Sequence, residues 1–212
     1  MPQGHLGSYL QKIFFFLNRR HAQTRSGDYG LRMVHLFAPN KVLRAPHWEE
    51  RFHFVRYTPG IEDQWIELLN ASCEFGLWSR ERLEDEILSS LLSETTSFVK
   101  DQGRLIACSA ACHIKQYEPY AVLMYPLVLQ KYRNRGIGTR LIVETVAACQ
   151  RLGYPGMILN TEDLRIPAIK TYFKLGFKPD ITTNPGSKER WRVISDSLPA
   201  IAVEAGILES NK

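Results

Sequence analysis

No stretch of the 212-residue sequence approaches the ~20 consecutive apolar residues that a helix needs to cross a bilayer. The apolar knot from Ile13 to Leu17 is too short for a convincing secretory signal. A cytoplasmic protein without a membrane role is the expectation. Cysteine is scarce as well. Cys73, Cys108, Cys112 and Cys149 form no C-x-x-C pair, and no second His or Cys stands at finger or ribbon spacing from His113. That pattern argues against a metal and for buried, reduced thiols. Runs of one charge are missing too. A net charge of +5 would suit nucleic acid, yet the basic residues form no long run and no nucleic-acid motif, which disfavours that partner. Internal repeats and low-complexity tracts are absent. What remains, at 44% hydrophobic and 23% charged residues, is the composition of one soluble globular domain.

The basic residues that do cluster, Lys131, Arg133, Arg135 and Arg140, surround the stretch Arg133-Asn134-Arg135-Gly136-Ile137-Gly138-Thr139. This glycine turn follows the apolar run Ala121 to Leu129 and opens a periodic segment that ends at Gly153. A strand entering a glycine turn and then a helix leaves backbone N–H groups pointing outward at the positive end of the helix dipole. Residues without a Cβ let that backbone approach a pyrophosphate, and the arginines add charge for its oxygens. Two familiar phosphate loops fail on spacing. A P-loop requires Gly-Lys-Ser/Thr, whereas Gly138 precedes Thr139 and Arg140; a dinucleotide fingerprint requires a third glycine where Leu141 stands. Taken alone, the pattern also fits a plain tight turn.

Some thirty residues on, Ala168-Ile169-Lys170-Thr171-Tyr172-Phe173-Lys174-Leu175-Gly176-Phe177 follows the short apolar strand Met157-Ile158-Leu159. By itself Gly176 reads as a helix C-cap and Tyr172 as a tyrosine of an amphipathic helix. Together with Arg-x-x-Gly-x-Gly, in this order around a strand, the segment resembles the GNAT superfamily of acyl-CoA-dependent N-acetyltransferases, with mycothiol-synthase-like members closest. The resemblance covers roughly residues 52 to 195.

Hydrophobic periodicity supplies the remaining elements. Phe52 to Tyr57 reads as a strand, and Ile61 to Ser72 as a helix burying Ile61, Trp65, Leu68 and Leu69. Ser79 is the expected N-cap of a second helix to about Leu92. Ser97 to Lys100 and Arg104 to Ile114 form a hairpin, and Ala121 to Leu129 a central strand buried on both faces. The segment after Gly136 is a helix with Leu141, Ile142, Thr145, Val146, Cys149 and Leu152 on its core stripe. A helix from Pro167 to Leu175 follows Met157 to Leu159, and Lys178 to Ile181 with Arg190 to Ile194 closes the order as a strand pair. The fold class is α/β. The resemblance implies the GNAT fold, a mixed, mostly antiparallel sheet with a splayed central strand pair and flanking helices. Three regions follow: an N-terminal extension 1–50, a GNAT acyltransferase domain 51–198 and a C-terminal tail 199–212. The extension mixes Gly, Arg, His and Pro and reads as a disordered arm, a strap, a docking helix, or sequence upstream of a natural start at Met33.

The resemblance implies acetyl-CoA as cosubstrate and a primary amine, on a small molecule or a protein, as acceptor. Arg133 to Thr139 would hold the cofactor, with Asn160, Arg165 and Ala168 beside them. Its pantetheine would add like a strand to the backbone of Leu127, Val128 and Leu129, one N–H polarising the thioester carbonyl. Tyr172 would protonate the departing thiolate. Many members carry a glutamate base on the central strand, but Ala121 to Leu129 holds no carboxylate or histidine. Glu118, before that strand, and Glu162, after the next one, are the expected bases, with Glu74 and His113 as further candidates. Arg165 stands where the family commonly has asparagine. Trp65, Phe75, Trp78 and Trp191 line either an acceptor pocket or the core. The alternative function is a degenerate GNAT domain that binds CoA or a protein partner without catalysis.

Overall fold

Residues 30–38, 43–182, 186–196 and 198 are described by the computed structural model. In chain order the elements are β1 Leu31–Leu36, β2 His53–Arg56, α1 Glu62–Ser72, α2 Arg80–Glu86, β3 Ser97–Asp101, β4 Arg104–Cys112 and β5 Ala121–Val128. They continue with α3 Ile137–Arg151, β6 Gly156–Thr161, α4 Ile166–Lys174, β7 Lys178–Pro179 and α5 Ser187–Asp196. The described strands form one seven-stranded sheet in the order β2-β3-β4-β5-β6-β1-β7. Every pairing is antiparallel except that of β5 with β6. The chain thus has an α/β fold with a mixed, mostly antiparallel sheet and flanking helices. Among the described residues, no helix is long and apolar enough to cross a membrane.

Strand alternation sends apolar residues to both faces of the sheet, and each face is covered by helices of matching period. On one face α1 and α2 set Trp65, Leu68, Leu69 and Leu83 against Phe98, Cys108, Ala110 and Leu127. On the other, α3, α4 and α5 set Val146, Ile169, Tyr172 and Trp191 against Leu31, Met33, Met157 and Leu159. Trp65 is fully buried and meets Phe98 edge to face at 5.0 Å. Trp65→Ala is therefore expected to lower the unfolding free energy by about 3–5 kcal/mol, read by urea denaturation. A loss within the ~0.5 kcal/mol of surface substitutions would contradict this packing.

Three expectations change. The closing strand pair is absent: Arg190 to Ile194 lies in helix α5, and β7 pairs with β1 instead. The helix wins because Ser187, Trp191, Ile194, Ser195 and Leu198 recur at helical spacing and are all buried. The second helix ends at Glu86 and gives way to the 3₁₀ turns Leu88–Ser90 and Ser93–Thr95, although Ser79 does cap it, accepting from the Arg82 N–H at 3.1 Å. Finally, β1 falls inside the stretch 1–50 that composition sets apart, with Leu31, Met33 and His35 buried in the sheet. Residues 1–29 and 199–212, and with them the C-terminal tail, lie outside the described residues.

Candidate active site

Strand β5 sets the geometry. Its parallel pairing with β6 is confined to Ala121↔Met157 and Val122↔Ile158, so beyond Val122 the two strands part and leave a wedge. Along β4, Met124 stands opposite Ala110 and Leu127 opposite Cys108, which bulges one extra residue out of β5. Pro126, with no N–H for the ladder, falls in that bulge, and Tyr125 before it takes φ 43°. Past the bulge, Leu129 N–H donates to Ile106 O (2.9 Å), and strand alternation turns the Val128 backbone to the wedge side. Arg133 Nε donates to Val128 O there (3.0 Å). Of the three residues expected to pair with pantetheine, Val128 faces the wedge, while Leu127 and Leu129 turn to β4.

The turn after β5 is shaped for an anion. Gly136 is the N-cap of α3 at φ 75°, in the left-handed region, and no side chain caps the helix. Gly138 packs closely on the strand, since a Cβ there would stand 3.2 Å from Val128 Cγ2, which would have to shift by a few tenths of an ångström. Ile137 is buried beside Leu141, Asn134 is exposed, and Thr139 is half-buried. The segment 43–50 lies against this turn. Pro46 Cγ sits 3.2 Å from where a Gly136 Cβ would be, and Arg140 donates to Pro46 O (3.4 Å) while stacking 4.2 Å over Trp48. Arg135 pairs with Glu49 at 3.0 Å. A cavity of about 520 Å³ opens beside the turn, lined by Ala71, Leu129, Gln130 and Lys131.

One carboxylate ties the two sides of the wedge. Glu74, in the α1–α2 loop, accepts from Arg133 of the β5–α3 loop through Oε1, and from Arg165 of the β6–α4 loop through Oε2 (2.9 Å). Arg165 also lies 4.6 Å over the Phe75 ring and 3.4 Å from Glu162 Oε2. Tyr172 is buried and senses both charges. Burial pushes its phenol up to about 12, Arg165 draws it down, and Glu74 raises it.

Other expected site residues are placed elsewhere. Glu118 stands 3.0 Å from His113 Nε2, whose Nδ1 is 3.0 Å from the Tyr154 hydroxyl. It precedes β5, whereas Val128 ends it; eight extended residues at ~3.3 Å each separate the two by roughly 25 Å. The structure does not bring Glu118 to the far end of the strand. Asn160 donates to the Tyr117 hydroxyl (3.3 Å) on the sheet face opposite Met157 and Leu159, hence opposite α3 and α4. It does not join the glycine turn. Ala168 packs half-buried in the first turn of α4 against the core. Trp65, Trp78 and Trp191 are core, and Phe75 and Trp78 meet Tyr125 edge to face at 5.0 and 4.8 Å.

Sequence reasoning missed the Tyr125 hydroxyl, which donates to Glu86 Oε2. The signal was Tyr-Pro inside an otherwise apolar strand, since proline in a central strand demands a bulge. Cys73, expected to be buried, is exposed, whereas the three buried thiols are poor nucleophiles in this setting. Burial pushes Cys108 and Cys149 up to about 12 and Cys112 up to about 11.

A mixed sheet that splays beside a glycine-capped helix start leaves an open strand edge next to outward-pointing backbone N–H groups, a shape that suits an extended, phosphorylated ligand. Residues 63–177, over half of the chain, match the model for the Acetyltransferase (GNAT) family, and the chain belongs to that family. No curated protein matches the sequence. Among solved structures, the GCN5-related N-acetyltransferase from Sphaerobacter thermophilus superposes with a TM-score of 0.58 at 18% identity, over 77% of this chain and 53% of that one. This chain therefore spans about half the length of that protein. AAC(6')-Iy, in complex with the bisubstrate analogue CoA-S-monomethyl-acetylneamine, is similar at a TM-score of 0.50 and 20% identity, over 60% of this chain and 90% of its own. Arabidopsis thaliana Naa50, in complex with the bisubstrate analogue CoA-Ac-MVNAL, reaches 0.50 at 21%, over 60% and 83%. These likenesses speak to the fold.

Proposed function

We propose that this chain transfers an acetyl group from acetyl-CoA to a primary amine by direct attack of the amine on the thioester. One observation carries this reading: the wedge beside β5 ends at an uncapped, glycine-headed helix. It offers an edge for an extended amide chain and, at its end, a cradle for a pyrophosphate. Arg133 and Arg165 add charge for phosphate oxygens once Glu74 releases them, and the Val128 N–H in the wedge polarises the thioester carbonyl. Tyr172, protonated at neutral pH, gives its proton to the departing thiolate. Two fold neighbours carrying CoA-containing bisubstrate analogues support the choice of carrier.

Calorimetric titration tests the reading. Acetyl-CoA is expected to bind with micromolar affinity, about −8 kcal/mol, with 3′-dephospho-CoA weaker and a short DNA duplex weaker still. Absence of acetyl-CoA binding would remove the proposal. A second reading, cofactor binding without catalysis, is favoured by the absence of any carboxylate on β5 itself. It predicts acetyl-CoA binding with no amine-dependent release of thiol.

A further inference from the structure

We propose that Tyr125 and Glu86 form the relay that takes the proton from the acceptor ammonium, an inference that rests on the acetyl-transfer reading. An aliphatic amine carries a proton at neutral pH and cannot attack until it is lost. Among the expected bases, Glu118 lies at the wrong end of β5 and Glu162 stands against Arg165. Tyr125 is better placed. It sits at the bulge, three residues beyond the last β5–β6 pair and three before Val128, so its backbone marks where the wedge opens. Its ring lies on the α1–α2 face of the sheet, between Phe75 and Trp78, away from the glycine turn that opens α3. In the proposed relay the acceptor amine enters from that face and meets the Tyr125 oxygen there.

Glu86 is fixed for the second half of the transfer. Arg82 Nε donates to Glu86 Oε1 (2.7 Å), which leaves Oε2 to accept from Tyr125. Arg82 is itself held, donating to Phe75 O (2.9 Å) and Leu77 O (2.8 Å) and stacking 4.1 Å over Trp78. In the relay, an ammonium N–H bond breaks toward the Tyr125 oxygen as the Tyr125 proton moves to Glu86. The amine is left neutral with its lone pair free, the phenol stays neutral, and the carboxylate is protonated. Burial and the Glu86 hydrogen bond push the Tyr125 phenol well above its ordinary value, with Arg82 opposing, so the two transfers are concerted and no free phenolate forms. Tyr125 is the group that touches the amine, and Glu86 positions it and receives the proton.

The test uses the full chain with acetyl-CoA and three probe amines, spermidine, lysine and a peptide with a free N-terminus, followed by thiol release from pH 6 to about 10. Glu86→Gln is expected to lower kcat about tenfold near neutrality, with the deficit closing as pH approaches the amine's own pKa and with acetyl-CoA affinity unchanged. Tyr125→Phe should reproduce that profile, and the double variant should be no worse than either single one. A loss equal at every pH, or unchanged kcat in Glu86→Gln, would overturn the relay. So would a wild-type protein that binds acetyl-CoA yet acetylates none of the three amines. A wild type that fails to bind acetyl-CoA in calorimetry instead removes the acetyl-transfer reading.

Discussion

Gly136→Val is expected to weaken acetyl-CoA binding at least about a hundredfold, roughly 3 kcal/mol, measured by calorimetry. The argument is conformational before it is steric. Gly136 holds φ 75° as the N-cap of α3, a region that costs an ordinary L-residue roughly 1–2 kcal/mol and a β-branched one more. Valine relieves that strain by rotating the turn, and the rotation re-aims the first N–H groups of the helix. Its Cβ also meets Pro46 at 3.2 Å, so segment 43–50 has to move. Gly153→Val is the matched control. Gly153 has φ 85° at the other end of α3, and a Cβ there meets nothing within 4 Å. Both variants should melt earlier for the same backbone reason, and only Gly136→Val should lose the cofactor. Equal affinities in the two variants would show that the turn does not cradle the pyrophosphate.

Tyr172→Phe is expected to lower turnover by about 10- to 1,000-fold while acetyl-CoA affinity changes little. Removing one hydroxyl leaves the ring in its packing against Phe177 at 5.8 Å, so the fold is spared. The size of the effect depends on proton affinity. A phenol at about 12 delivers its proton to a thiolate near ~8.5 uphill by roughly 5 kcal/mol. Two charges adjust that figure, Arg165 downward and Glu74 upward. A pyrophosphate that draws Arg133 away from Glu74 also disturbs the Glu74–Arg165 pair. On the proposed mechanism, cofactor binding would thereby reset the acid that the leaving group needs. Full turnover in Tyr172→Phe would take this residue out of the chemistry.

Local patterns were legible in the sequence and distant contacts were not. The glycine turn, the helix it opens and the Ala168–Phe177 segment are written in consecutive residues, and each lies where spacing placed it. The closing region was misread because Arg190-Trp191-Arg192-Val193-Ile194 mixes β-favouring residues with a helical period that only becomes clear with Ser187 and Leu198 included. Strand β1 alternates correctly, but its partner lies in β6 and nothing nearby announces it. The wedge contacts fail for the same reason. Glu74 reaches Arg133 across 59 positions and Glu86 reaches Tyr125 across 39, distances over which no motif carries information. The expected bases, Glu118 and Glu162, flank β5 and β6 in the sequence, whereas the carboxylate bonded to a β5 side chain, Glu86, arrives from α2.

The placement of β1 between β6 and β7 also sets the order in which the molecule is made. Its partners come 120 to 146 residues later in the chain. At a synthesis rate of ~5–20 residues per second, the strand waits on the order of ten seconds beside the ribosome before β6 exists. During that interval Leu31 and Met33, later fully buried, face water or another chain. Among the described strands, completing the sheet then places the earliest between two of the latest, and long-range pairing of this kind is expected to form more slowly than the local helices.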